Sequence, residues 1–285
     1  MLLGACVAPS VLAQRAPPPL DIPARLQGLL PADALLLGEQ HDNPDHQRIQ
    51  AQVVQALVVG GQLAAVVLEM AEQPHTTALL AATASEADVQ TALRWDEKAW
   101  PWSRYAPAVM AAVRAGVPVR GANLPRAQMR EAMGNTTLDT HLDAAALAAQ
   151  QQAIREGHCN LLPETQIAPM TRIQIARDAA MAGVLGQAVA EVPGKTVLLI
   201  AGSGHVDKAL GIARHLPGGL NAKAVLLSAL EPGTATSRAA TAVAPGFDTV
   251  WPSLAIAPKD YCAAFKAGTE KGFLPVSRRL LSGRA

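Results

Sequence analysis

Short apolar runs, most of them running into a glycine or a glutamate and separated by stretches of helical spacing, constrain this chain more than any other feature. Ala34–Gly38 (ALLLG) is a strand buried on both faces, because it is continuously apolar, not alternating. Pro44 opens a helix to about Val59, with Ile49, Val53, Ala56 and Leu57 at helical spacing, and Gly60-Gly61 stops it. Ala64–Glu69 (AAVVLE) is the second strand. Arg104–Ala115 forms a helix that Gly116 caps, and Val117–Gly121 (VPVRG) is the third strand despite Pro118. Gln174–Val192 is a helix, Thr196–Ala201 a fourth strand, Val206–His215 a helix, Ala224–Ser228 a fifth strand and Phe247–Trp251 a sixth. Strands alternating with helices predict an α/β fold with a parallel, doubly wound sheet. The stretches 75–100 and 125–180 carry helical periodicity without strand-like runs, which predicts a smaller helical subdomain inserted above the sheet. Glu231–Pro245 reads as a Pro/Thr/Ala loop and Ser277–Ala285 as a tail.

With half of its 285 residues hydrophobic, the chain can bury a sizeable core, so residues 17–285 read as one domain carrying the insert. Lys+Arg 24 against Asp+Glu 23, with no basic block, excludes the electrostatic footprint of a nucleic-acid binder. After the N-terminus no apolar run reaches the ~18–20 residues of a membrane span. Residues 1–16 read as the remnant of an export signal. Leu3-Gly4-Ala5-Cys6 matches a lipobox in which Cys6 is acylated, whereas Val11-Leu12-Ala13 is compatible with ordinary cleavage. The expected location is therefore the periplasm or the outer membrane as a lipoprotein, held to the membrane only through lipid on Cys6. Cys159 and Cys262 remain; in an oxidising compartment they are expected to pair, against the alternative of two unrelated buried cysteines.

Polar residues gather just after the predicted strands: Glu39, His41 and Asp42 after the first, Glu69 at the end of the second, Asn123 and Arg126 after the third, and Gly202-Ser203-Gly204-His205 after the fourth. In a parallel sheet these ends share one edge, where open α/β folds bind ligands. Two imidazoles and two carboxylates are the residue types of a divalent metal site or of a general base beside an electrophilic stabiliser. Gly202-Ser203-Gly204 lacks the lysine of a P-loop, the third glycine of a dinucleotide fingerprint and the Gly-x-Ser-x-Gly elbow. Aromatic residues are scarce, yet Trp95, Trp100, Trp102 and Tyr105 crowd together, either as an apolar surface for a flat ligand or as glue between insert and sheet. A phenol can also ligate ferric haem, and the chain has two tyrosines, Tyr105 and Tyr261.

The segments Leu37–Asn43, Val67–Met70, Trp102–Pro107, Ala122–Arg126, Ala176–Ala182 and Ala201–His205, in this order between about residues 33 and 265, resemble the ChaN-like haem-binding lipoprotein family. The resemblance implies a parallel α/β domain with a smaller helical part, attached to a bacterial outer membrane, that binds haem for iron uptake. It further implies a homodimer holding haem between subunits with tyrosine on iron, and an outer-membrane haem receptor as partner. By the motif Tyr105 takes the iron-ligand role, with Tyr261 also in a family-like segment; Arg104 and Arg126 are the candidate propionate partners. The Glu and Gly-x-x-His pattern also resembles the wider superfamily of Tiki metal-dependent proteases and erythromycin esterases. That resemblance implies the competing reading, a hydrolase in which Glu39, His41, Glu69 and His205 hold a divalent metal or act directly as acid and base.

Overall fold

The computed structural model describes residues 20–229, 244–263 and 266. Six parallel strands form one sheet: β1 (Ala34–Glu39), β2 (Leu63–Glu72), β3 (Val119–Asn123), β4 (Thr196–Gly202), β5 (Ala222–Ala229) and β6 (Thr249–Ser253), in the order β3-β2-β4-β1-β5-β6. Alternate residues of the central strands feed two cores. Leu35, Leu37, Val66, Leu68, Leu198 and Ile200 face α2 (Pro44–Val59) and α4 (Trp102–Arg114). Leu36, Val67, Val197, Leu199 and Ala201 face Met181, Ala182, Leu185 and Val189 of the long α7 (Glu164–Glu191). With both faces covered, every residue of β1 and β4 is buried, which is why these strands read as uninterrupted apolar runs. Asn43 caps α2 by accepting the Asp45 N–H at 3.0 Å, and Pro44 supplies the first helical position.

Several boundaries differ from the expectation; the helix expected from Gln174 begins at Glu164, and β6 lies two residues further on, at Thr249–Ser253. β2 runs on to Glu72, and β3 begins at Val119, because Pro118 has no N–H to give to the ladder. The helix expected at Val206–His215 does not form. A single turn, α8 (Ser203–Val206), is followed by a 3-10 turn at Ile212–His215, since the Lys208 N–H goes to the Gly246 carbonyl (2.9 Å) and the Ala209 N–H to the Asp207 side chain (2.7 Å). Residues 75–100 contain one short helix, α3 (Glu86–Ala92), within irregular chain, and Thr76 bridges to Arg120 of β3. Between 125 and 180, α5 (Met129–Gly134), α6 (Ala144–Gly157) and the first half of α7 enclose a separate cluster of Leu124, Ala132, Leu138, Leu142 and Ile175.

Cys159, just past α6, is disulfide-bonded to Cys262, closing 103 residues of chain. The cysteines thus pair as expected. Among the described residues no helix is long and apolar enough to cross a membrane. Cys6 and the cleavage segment, the tail from Ser277 and nearly all of the Glu231–Pro245 loop lie outside the described residues.

Candidate functional site

The parallel register sets Glu39 at the end of β1 beside Gly202 at the end of β4, with Glu69 of β2 next to them. Glu39 is fully buried and fully engaged: its carboxylate accepts from Tyr105 Oη (2.7 Å), Gln47 Nε2 (2.6 Å) and Gln50 Nε2 (2.5 Å), and pairs with His41 Nδ1 at 2.7 Å. Glu69, only 2% exposed, accepts from Arg177 (2.6 Å) and from the Gly202 N–H (2.7 Å). His41 Nε2 and His205 Nε2 approach its two oxygens at 3.5 Å each. His205 is fully buried and its Nδ1 is bound to Asp178 of α7 at 2.5 Å. Tyr105, Glu39, His41, Glu69, His205 and Asp178 therefore form one continuous polar chain across the sheet edge. A Cβ at position 202 would stand 2.8 Å from His41 Nε2, so only glycine lets the imidazole reach Glu69.

Three buried carboxylates face three basic groups, the composition that makes interior charge tolerable. Burial pushes the His41 and His205 imidazoles down, but the charges of Glu69 with Glu39, and of Glu69 with Asp178, outweigh it, and both lie above the ordinary histidine value. Burial raises Glu39 and Glu69, but the hydrogen bond and charge of His41, with the Tyr105 and Gln50 bonds, hold Glu39 low, and the charges of His205, His41 and Arg177 hold Glu69 far below the carboxylate range. Burial keeps the Asp178 carboxyl above its usual value.

Sequence reasoning brought Glu39, His41, Glu69 and His205 to one edge, and the structure places all four there. It missed Gln47 and Gln50 of α2 and Gln174, Arg177 and Asp178 of α7. Their signal was polar side chains on the apolar face of a helix, as Gln47 and Gln50 flank Ile49. In the metal reading of the four residues the carboxylates would exchange partners they already hold: both oxygens of Glu69 and both of Glu39 are bonded, and a guanidinium sits on Glu69.

Beside this chain opens a cleft of about 240 Å³. His41, Glu69, Gln174 and Arg177 form its polar wall, Met70, Trp100, Met129 and Ile173 an apolar one, and Arg94 and Arg126 its cationic rim. Of the aromatic cluster, Trp102 and Tyr105 are core, whereas Trp100 meets the edge of His41 at 4.8 Å between ring centres and lines the cleft. The aromatic residues thus serve as glue and as surface together.

The structure corrects Tyr105 as an iron ligand. Its side chain is 1% exposed and its hydroxyl is spent on Glu39, while burial first and the Glu39 charge second raise its pKa well above the ordinary phenol value. Arg104 is corrected too, since its guanidinium holds the His41 carbonyl at 3.2 Å and does not line the cleft. Arg126 lines it, with an exposed head 3.8 Å from Asp96. Tyr261 is half-buried. Its hydroxyl donates to Asp42 at 2.9 Å and accepts from Gln40 Nε2 at 3.0 Å. Its neighbour Cys262 is bonded to Cys159, next to His158 in the cleft wall, and Asp42 follows His41 in that wall.

Residues 26–216 match the family model described as haem-binding uptake, Tiki superfamily, ChaN. Among solved structures, that of cofacial haem binding to ChaN of Campylobacter jejuni matches with a TM-score of 0.64 and 28% identity, covering 75% of this chain and 88% of that one. The type III effector HopBA1 matches at a TM-score of 0.49 and 15% identity, over 79% of this chain and 88% of the other. No protein among those of curated function matches the chain.

Proposed function

The chain belongs to the haem-binding uptake family of the Tiki superfamily, ChaN, and from that premise we propose that it takes ferric haem at the mouth of the cleft with Tyr261 as the iron ligand. One observation carries the assignment: of the two tyrosines in the sequence, Tyr105 is 1% exposed in the core, whereas Tyr261 is half-buried, bonded to Asp42 next to the cleft residue His41 and followed by Cys262, whose partner Cys159 follows the cleft residue His158. Bound haem supplies a ferric iron that takes a hard, anionic oxygen ligand. The residues around Tyr261 fit that demand. The Gln40 amide donates to the phenol oxygen, a bond that favours the phenolate, and Asp42 accepts the phenol hydrogen in the free protein. Burial raises the Asp42 carboxyl, but the bonds from Lys259 and Tyr261 outweigh it and keep it ionised. Trp100, Met70, Met129 and Ile173 offer an apolar wall to a porphyrin, and Arg94 and Arg126 guanidinium groups suited to propionates.

A cleft of about 240 Å³ is below the ~300–1,000 Å³ of pockets that enclose a drug-sized ligand. A haem seated there keeps much of one face open, which supports a second copy of the chain as its cover. The cofacial haem binding of the Campylobacter jejuni protein supports the same arrangement. Export to the periplasm or outer membrane, lipid on Cys6 and haem delivery in iron uptake with a membrane receptor complete the reading. The Cys159–Cys262 bond, at home in an oxidising compartment, supports export. Haemin titration followed by Soret absorbance and sedimentation tests it. Saturable binding that promotes dimerisation, survives Tyr105→Phe and is lost in Tyr261→Phe is the expected result. Binding that Tyr261→Phe leaves unaltered overturns the ligand assignment.

One observation favours a second reading, a metal-free hydrolase. His41 and Glu69 of the buried polar chain face the cleft, and His205 Nε2 behind them, fully buried, has among the described residues no closer polar partner than Glu69 at 3.5 Å. A base held within reach of a cleft by carboxylates on both sides is equipped for acid–base work. Peptide or ester hydrolysis that disappears in His41→Ala supports this reading; its absence from the wild type ends it.

A further inference from the structure

Ser253 ends the last strand, and the chain then runs through exposed, irregular residues before the turn that carries Tyr261 and Cys262. Where the segment leaves the sheet, the Leu254 N–H reaches Asp45 (2.8 Å) and Asn43 donates to the Leu254 carbonyl (3.0 Å). At its far end Lys259 and Tyr261 both bind Asp42, at 2.7 and 2.9 Å. All these contacts run to the loop after β1. The tether to the end of α6 is covalent: Cys262 to Cys159, which follows the cleft residue His158. The segment thus ties the loop after β1 to the end of α6, two parts of the chain that each give a histidine, His41 and His158, to the cleft wall. Its Leu254 end is held by the buried Asn43 and Asp45; at the far end the half-exposed Lys259 pair holds weakly, so the disulfide decides whether that end stays tied.

We propose that the Cys159–Cys262 bond is a redox-released strap that fixes the far end of residues 254–263, and Tyr261 with it, between the loop after β1 and the end of α6, and that a dithiol reductant releases it. Neither cysteine is fully buried. One thiolate of the dithiol attacks a sulfur, forming a mixed disulfide and releasing the other cysteine. The second thiol then closes on the first. Two electrons pass to the protein pair, the protons of the dithiol finish on Cys159 and Cys262, and the reductant leaves as a cyclic disulfide. That reduction also lowers haem affinity rests on the reading of Tyr261 as the iron ligand.

Hydrogen exchange of the full-length protein, oxidised and after treatment with dithiothreitol that is then removed, reads the strap without haem. Exchange of the Leu254 and Ala263 amides, which bond Asp45 and Asp260, is expected to quicken at least tenfold on reduction, with β1, β4 and α7 unchanged. Cys262→Ser under oxidising conditions is expected to reproduce the reduced pattern. Unchanged protection after reduction, or a Cys262→Ser protein as protected as the oxidised wild type, overturns the proposal. A haemin titration of the same samples separates the two readings. A fall in affinity of at least tenfold alongside the faster exchange supports both. Faster exchange with unaltered affinity supports the strap and removes Tyr261 from the iron. If neither form binds haemin, the haem reading fails, and the exchange result alone decides the strap.

Discussion

Tyr105 and Tyr261 each donate a phenol to a carboxylate at the end of β1, the first to Glu39 at 2.7 Å and the second to Asp42 at 2.9 Å. Their surroundings differ. Glu39 has no exposed surface and belongs to a buried set of charges that borders the cleft only through His41, Glu69 and Arg177, whereas Asp42 is half-buried, with Lys259 and solvent sharing the load. The same bond is therefore structural in one region and available for exchange in the other. On the proposed reading, a phenol that loses its proton on binding iron belongs where solvent can take that proton, as at the half-buried Tyr261.

Substitutions that hit the two regions separately can break this contrast. Glu69→Ala strands Arg177, His41 and His205 in the interior and is expected to cost about 3–5 kcal/mol in urea unfolding. A loss below about 1 kcal/mol would mean that water reaches the network and that the inner region is not sealed. Tyr105→Phe deletes one donor to a buried carboxylate and is expected to cost about 1–3 kcal/mol while leaving haemin affinity within a factor of about two. Tyr261→Phe is expected to reverse that pattern, with haemin affinity down at least about tenfold, equivalent to about 1.4 kcal/mol, and stability changed by less than about 0.5 kcal/mol. A Tyr261→Phe protein that binds haemin normally but unfolds early would erase the distinction between the two phenols.

The finest test uses pH. Because His41 and His205 have raised values in the folded state, their contribution to stability is complete below the unfolded value of about 6.5 and is lost as pH rises through the folded values. His46 supports the rim by accepting the Gln40 N–H and binding Ser253. Burial depresses it to about 4, so its contribution is present above about 6.5 and fades as pH falls toward 4. His205→Gln is expected to flatten the alkaline limb of a stability profile, and His46→Gln part of the acid limb. A profile unmoved on the alkaline side by His205→Gln would show that the inner imidazole stays neutral.

The sheet was legible because its central strands are buried on both faces, and such strands must be continuously apolar; β1 and β4 agree with their expected limits to one residue. Parallel topology then brought Glu39, His41, Glu69 and His205 together, since every strand end falls on the same edge. The turn after His205 was not legible. Val206–His215 has helical spacing, but its backbone donors find Gly246 and Asp207, partners that local pattern cannot reveal. The motif that carries Tyr105 likewise says nothing about exposure, and two features outside it determine its role: Glu39 taking its hydroxyl, and the core of α2 and α4 closing over its ring.

Periodicity, strand-end chemistry and cysteine count thus fixed from sequence alone an α/β sheet with a polar edge and a pair of cysteines, because each depends on residue type at short range. Which tyrosine is buried and which is partly exposed, which carboxylates are already saturated and where the disulfide ties the chain were decided only by tertiary structure. Burial and hydrogen-bond partnership depend on residues far apart in sequence, as Tyr261 meeting Asp42 across more than two hundred positions illustrates.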